Sequence, residues 1–506
     1  MPPSVRSRFT ATVIANILRG GLGFITGLLV ARGLGPEQYG NYIFLLGSFL
    51  ALGRLFDLGT SGAFYTFISQ RPRAIPFLLS YISWKGFQFI IMVIAIGLLP
   101  LTWLNKIWLG LDRGLILLSF AAVFLQQQAW QTLTQIGEAS RMTQRVQGMN
   151  IGISVVYLLL IFIFWKLQAL SIYLIFSLII VEYIFALFFS YSLIWSKREQ
   201  NVLDSDKSPF VFREMLKEYS IYCAPLLVYS VIGFFYEFAD RWMLQNYSGS
   251  VEQGYYSIGS QFATISLLAT TSILQIFWKE IAEAHERQDV ERVKMLYSKV
   301  SRSLFMLGAI ISGFLIPWSK EIINVTLGTA YAAAVPALAI MFLYPVHQSI
   351  GQIVGTMYFA IGKTRPYSII GVVFMLISIP VTYFVIAPTE AFIPGLALGS
   401  TGMAIKMVIL QLIGVDISAW WLSRIYGWKF DWIFQVIGLG GAVLLGWLAY
   451  EVVKIMTFGM QLTLFLRGGI SFVLYCFLIA GMIWAMPWLL GTERREIMRT
   501  IRRRFG

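Results

Sequence analysis

The sequence predicts an all-α integral membrane protein, and three observations carry that prediction. Hydrophobic residues make up 58% of the 506 positions and charged residues only 13%, where soluble domains carry roughly 25% charged residues. Mean hydropathy is +0.72. Apolar windows of about 20 residues, the length that crosses a bilayer core of about 30 Å, recur fourteen times between Gly, Pro and charged punctuation. Fourteen such spans leave roughly 200 residues for termini and connectors, too little for a separate soluble domain.

The windows lie near 9–31, 39–67, 76–102, 114–136, 147–166, 170–195, 218–246, 253–277, 300–320, 332–360, 366–387, 394–422, 432–456 and 462–490. The first reads as a retained helix, not a cleaved leader, because Arg19 interrupts its apolar core and no small-x-small site follows. Lys and Arg divide unevenly over alternate connectors: roughly 27 on the side that holds both termini, about seven on the other. The positive-inside rule then places both termini in the cytoplasm. The net charge of +14 is accounted for by topology, with no need for nucleic acid. Cys223 and Cys476 sit in apolar runs and the histidines are His285 and His347 alone, which excludes a disulfide framework and disfavours a zinc site.

Two connectors are long. Residues 196–217 are polar and Pro-containing. The run KEIAEAHERQDVERVKMLYSKVSRS from Lys279 alternates charge sign at helical spacing and predicts a helix along the membrane surface. The tail TERREIMRTIRRRFG interleaves arginines with Ile497, Met498, Ile501 and Phe505, a pattern suited to anchoring on anionic lipid. An internal repeat shows in GLGPEQYGNY from Gly33 and SGSVEQGYYS from Ser248, which both place Glu-Gln ahead of a Gly/Tyr cluster opening a span. Paired halves of this kind build transporter sites near the midplane.

Ionisable residues inside a span cost at least a few kcal/mol and ordinarily face a cavity or a partner. Arg19 lies about ten residues into the first span, on a face with Asn16, Gly20, Gly23 and Gly27; it reads as cavity-lining or as glue between helices. Arg54 and Asp57 are three apart and either pair along their helix or face a cavity. Lys85 and Lys406 are central in their spans with a cavity-facing reading favoured for both. Gln127, Gln131, Thr134 and Glu138 form a stripe at helical spacing, with Gln128 and Gln135 alongside, suited to packing or to sugar hydroxyls. Glu237, Asp240 and Arg241 form a local cluster that reads as a structural pairing or a gate latch. Glu182 is alone in its span, a proton-coupling acid or one with an unrecognised partner, and His347 reads as a packing histidine. Pro225, Pro345 and Pro380 mark places where spans bend.

The runs NILRGGLGFITGLLVARGLGPEQYGNY and RLFDLGTSGA, then DRWML, GYYSIGSQF, LGTAYAAAVPALAIMFLYP, AIGKTRPYSI and IPGLALGSTGMAIKM, resemble in order the Wzx-type lipid-linked oligosaccharide flippases of the multidrug/oligosaccharidyl-lipid/polysaccharide exporter (MOP) superfamily. The resemblance implies two six-helix lobes, residues 1–195 and 218–425, joined by the 196–217 linker. Two further spans over 426–490 and a basic tail over 491–506 follow. It also implies a central cavity and movement of an undecaprenyl-pyrophosphate-linked oligosaccharide to the outer leaflet of a bacterial inner membrane by alternating access, for O-antigen, lipopolysaccharide or another surface polysaccharide. Arg19, Arg54 and Asp57 match the family's polar positions; Lys85, Lys406, Asn16, Gln127 and Gln131 complete the expected substrate cavity, with Asp57, Glu182, Glu237, Asp240 and Arg241 in coupling or gating. No cofactor or metal is expected beyond coupling to a H+ or Na+ gradient, and no enzymatic step. The expected partners are the lipid-linked oligosaccharide, membrane lipids, and polysaccharide polymerase and chain-length machinery.

The rival readings are a lipid-II-type flippase and a drug or cation exporter of the same superfamily. An exporter of cations should present acids unopposed by bases, and central arginine and lysine point the other way. A membrane-embedded glycan polymerase or ligase would carry a long outer loop, and the outer connectors here are short.

Overall fold

The computed structural model describes residues 5–71, 73–190, 211–266, 271–460, 462–492 and 494, and every regular element among them is helical. The first half comprises α1 (Val5–Asp57), α2 (Thr60–Gln70), α3 (Ile75–Leu98), α4 (Leu101–Trp108), α5 (Arg113–Phe124), α6 (Trp130–Ala139), α7 (Thr143–Lys166) and α8 (Ile172–Ser190). Then come α9 (Phe212–Ser266), α10 (Thr271–Glu286), α11 (Val290–Leu315), α12 (Ser319–Thr326), α13 (Val335–Met341) and α14 (Tyr344–Ala360). The last four are α15 (Thr364–Ile386), α16 (Gly399–Tyr426), α17 (Ile433–Met456) and α18 (Leu464–Ala485). Among the described residues ten helices are long and apolar enough to cross a membrane, or twelve when each of two bent pairs counts as one span. The protein is a multi-pass membrane protein.

The backbone breaks where the local chemistry demands it. Thr12–Asp57 and Phe212–Thr264, at 46 and 53 residues, would reach about 69 and 80 Å as straight helices, more than twice the hydrocarbon core. Each is interrupted by one glycine, Gly35 at φ 75°, ψ 168° and Gly249 at φ 87°, ψ 172°, a region open essentially to glycine alone. The bent pairs turn by 58° between α4 and Arg113–Ala139 and by 72° between α11 and α12. In the first, Asp112 caps α5 by accepting from the Leu115 N–H at 3.1 Å. Pro225 and Pro380 lie inside α9 and α15, while Pro345 starts α14.

The run from Lys279 is helical, but it is not one surface helix. It is divided between the end of α10 and the start of α11 by a turn in which Gln288 takes φ 56°. Asp289 there accepts from the Arg292 N–H at 3.0 Å. An Asp N-cap starts a new helix where charge alternation suggested continuity. Helix α9 already begins at Phe212, so the linker's last residues are helical; residues 196–210, and nearly all of the basic tail, lie outside the described residues.

By contacts the chain forms two compact units, Met1–Ser257 with Met375–Gly399, and Ile258–Phe374 with Ser400–Gly506. In the first, Phe64 stacks on Tyr81 at 4.0 Å and on Phe77 at 6.4 Å, inside a cluster that also takes in Phe67 and Tyr219. In the second, α11 and α17 meet through small residues. A Cβ on Gly446 would stand 2.0 Å from the Gly313 carbonyl oxygen, and one on Gly313 2.5 Å from that of Ala442. His347 is buried edge-on against Phe305 at 5.6 Å, packed as its sequence context suggested, but its Nδ1 has no hydrogen-bond partner among the described residues.

Candidate functional site

A cavity of about 520 Å³ lies within the first unit. Its walls come from α1 (Phe49 to Asp57), α3 (Gln88 and Met92), the α5–α6 helix (Phe120 to Gln131) and α9 (Leu226 to Arg241). Along α1 and α2 these positions fall between Gly40 and Arg71; along α9 they fall between Glu218 and Gly249. The cavity is therefore at mid-length of both, and each end is closed by a different device.

At the glycine end the contact is backbone against backbone. A Cβ on Gly40 would lie 1.7 Å from the Ser250 carbonyl oxygen, and one on Gly254 2.4 Å from that of Pro36. A single offset of 214 residues relates Gly35 to Gly249, Pro36 to Ser250 and Gly40 to Gly254, so the contact is reciprocal between the two repeats. Gln245 adds a hydrogen bond to the Asn41 side-chain oxygen at 2.7 Å. At the other end Glu218 pairs with Arg71 at 3.3 Å and Arg73 at 3.0 Å. Tyr219 meets Phe67 edge-on at 5.2 Å, and the Arg73 guanidinium lies 4.8 Å from the Phe77 ring.

The charges inside are arranged across helices. Arg54 does not pair with Asp57; its guanidinium pairs with Glu237 of α9 at 2.7 Å. Asp57 pairs instead with Lys85 at 3.1 Å and accepts from the Ser61 N–H at 3.0 Å and the Ser61 hydroxyl at 2.8 Å. The physical reason is the break after α1: Leu58 and Gly59 take φ 44° and 85°, leaving orphan N–H groups at the start of α2 that a carboxylate satisfies. Lys85 also donates to the Gln128 oxygen at 2.9 Å. It sits behind the cavity wall, not in it, a correction to the cavity-facing reading. Gln88 donates to the Phe56 carbonyl at 2.8 Å and stitches the same break.

Arg241 lines the cavity and, among the described residues, forms no ion pair. Its guanidinium occupies the space that Gly47 leaves: a Cβ there would fall 1.8 Å from an Arg241 nitrogen. Asp240 turns the other way, accepting from the Thr382 hydroxyl at 2.6 Å. The Glu237–Asp240–Arg241 cluster is thus taken apart, since successive residues of a helix point about 100° apart. On the wall Arg54 and Arg241 balance Asp57 and Glu237; Lys85, behind it, holds Asp57 in an ion pair, so Arg241 is the lining cation left without one among the described residues.

Between α5 and α6 five residues, Leu125–Ala129, form a single π turn. The extra residue widens the helix and splays Gln126, Gln127 and Gln128. Gln128 reaches Lys85, Gln126 donates to the Tyr183 hydroxyl at 3.4 Å, and Gln127, Gln128 and Gln131 line the cavity. Such turns are rare and concentrate at functional sites. Farther along, Thr134 bonds to its own helix, and Glu138 accepts from Gln147 at 3.2 Å.

Of the expected site residues, the cavity thus gathers Arg54, Asp57, Gln127, Gln131, Glu237 and Arg241. Arg19 and Asn16 are exposed on α1 and do not line it. Lys406 is buried in the second unit. Glu182 is on α8 among Tyr157 and Tyr183, with one carboxylate oxygen buried and unbonded. Gln88, Tyr229 and Ser230 line the cavity without having been singled out by sequence.

The many-helix membrane fold is that of the MOP-superfamily transporters. The lipid II flippase MurJ in an inward closed conformation superposes with TM-score 0.67 at 16% identity, covering 94% of this chain and 98% of that one. An inward-facing multidrug-resistance MATE transporter gives 0.62 at 16%, covering 82% and 98%. A MOP transporter from Pyrococcus furiosus, described as having a binding pocket of reversed polarity, gives 0.55 at 16%, covering 84% and 97%. Residues 5–278 match the family model for polysaccharide biosynthesis proteins, and the chain belongs to that family. No curated protein matches it significantly. The Wzx-type resemblance read from the sequence agrees with both findings.

Proposed function

We propose that the protein is a flippase that carries a lipid-linked oligosaccharide, joined through pyrophosphate to a polyprenyl chain, from the cytoplasmic to the outer leaflet of a bacterial inner membrane. The supporting observation is Arg241, a cation facing a glutamine-walled cavity without a counter-ion among the described residues. A guanidinium offers forked donors to phosphate oxygens, and the amides of Gln127, Gln128 and Gln131 offer both donors and acceptors to sugar hydroxyls. The prenyl chain stays in the lipid and needs no cavity volume.

Counting Gly35 and Gly249 each as a boundary between two spans turns the ten helices and two bent pairs into fourteen spans, with both termini in the cytoplasm by charge distribution. In this reading 1–195 and 218–425 are two six-helix lobes, with 426–490 as two added spans, and helices of both lobes contribute to the cavity lining. Glu182, with a buried unbonded oxygen, is the acid proposed to couple transport to a H+ or Na+ gradient. Polymerase and chain-length machinery are the proposed recipients of the product, in a pathway such as O-antigen assembly.

The test is flipping of a pyrophosphate-linked oligosaccharide in proteoliposomes. Arg241→Ala should abolish transport at normal protein level, and Arg241→Lys should retain part of it, since charge persists but the fork does not. Wild-type flipping by Arg241→Ala would overturn the proposal. Substrates differing only in glycan separate this reading from a lipid-II-type one.

A further inference from the structure

A second cavity, of about 140 Å³, lies wholly within the other unit. One face of α11 supplies Lys294, Tyr297, Ser298, Ser301 and Arg302, at the spacing of a single helical stripe, and the turn between α16 and α17 supplies Trp428, Lys429 and Asp431. The volume is far below the roughly 300 Å³ at which drug-sized ligand pockets begin. It suits a headgroup.

Its charge is uneven. Arg302 is occupied: it pairs with Asp431, donates to the Trp488 carbonyl at 2.6 Å and lies 5.2 Å from the Phe434 ring. Lys294 and Lys429 are exposed and have neither a hydrogen bond nor an ion pair among the described residues. Beside them Tyr297 stacks on Trp428 at 5.7 Å, and Trp428 on Tyr426 at 4.7 Å. The neighbouring turns of α16 and α17 expose Trp420, Trp421, Trp432, Ile433 and Val436. Aromatic belts of this kind sit at headgroup depth, and both connectors belong to the Lys/Arg-rich set.

We infer that this cavity binds a phosphate ester anion, and that its source is an anionic membrane phospholipid whose acyl chains lie along the exposed apolar rim while Lys294 and Lys429 hold the phosphodiester. The site is separate from the transport cavity and does not depend on what is transported.

Native mass spectrometry of the full-length protein, titrated with phosphatidylglycerol or phosphatidylcholine, tests this. Wild type should prefer phosphatidylglycerol. The Lys294→Gln/Lys429→Gln variant should lose about thirtyfold in affinity, the factor two surface lysines carry near a charged headgroup, and Lys294→Arg/Lys429→Arg should restore it. The tail arginines are unchanged throughout, so their contribution cancels. Equal binding of the two lipids, or an unaffected glutamine variant, would overturn the inference. Displacement of phosphatidylglycerol by millimolar inorganic phosphate would overturn the lipid as the source.

Discussion

Asp57 and Lys85 show how much of a membrane charge's meaning depends on its neighbours in space. In sequence the natural partner of Asp57 is Arg54, three residues earlier; in the structure the positive φ at Leu58 and Gly59 ends the helix, and the carboxylate turns to the next helix start and to Lys85. The Lys85 side chain is only 6% exposed, so removing its partner strands a buried cation, a loss of about 3–5 kcal/mol. Asp57→Asn should therefore lower the thermal midpoint in detergent sharply, and Asp57→Asn/Lys85→Met should recover more than half of the loss. Equal destabilisation of the single and double variants would show that the pair is not the anchor. Arg241 was legible as a charge in a membrane but not as a lone one, because its separation from Asp240 depends on Thr382, 142 residues away in sequence, drawing the acid off.

Elements were more readable than their joints. Each apolar window has a helix over it, but at Gly35 and Gly249 one helix breaks and the next begins with no loop between them, and the π turn at Leu125–Ala129 shifts the glutamine stripe out of α-helical register. Periodicity assumes a constant pitch, so it sets Gln128 alongside the stripe of Gln127 and Gln131, whereas all three share the cavity wall. The two repeats differ by one residue between the glycine and the Glu-Gln pair. Aligning Glu-Gln pairs Glu37 with Glu252, whereas the backbone aligns Gly35 with Gly249, because the conserved quantity is a glycine conformation and a Gly-x4-Gly spacing, not an acid. Gly40→Val should then be worse than its small volume suggests: its Cβ meets a carbonyl oxygen that cannot rotate away. Overpacking costs of about 1–3 kcal/mol are expected, with a matching loss in Gly254→Val. Gly21→Val, where a Cβ meets nothing within 4 Å, is the control. Similar thermal midpoints for Gly40→Val and Gly21→Val would refute the close approach.

At the scale of the molecule, the two closures differ in kind, and that difference predicts how each yields. The glycine end is held by shape, through backbone contact, which neither salt nor pH weakens. The other end is held by Glu218 with Arg71 and Arg73, of which Arg71 is well exposed and Arg73 nearly buried against aromatic rings. Charge pairs open to water are screened within about 8–10 Å at physiological salt, so this end should be the more easily opened. A cysteine at Ser230, on the cavity wall, in a background lacking Cys223 and Cys476, reports on it. Glu218→Gln should increase its labelling by an impermeant thiol reagent added from the side of Arg71, and raising salt should do the same to the parent. Gly40→Val should instead raise labelling from the opposite side. If both substitutions increased labelling from the same side, the cavity would not lie between two separate closures, and the alternating-access reading would lose its geometric basis.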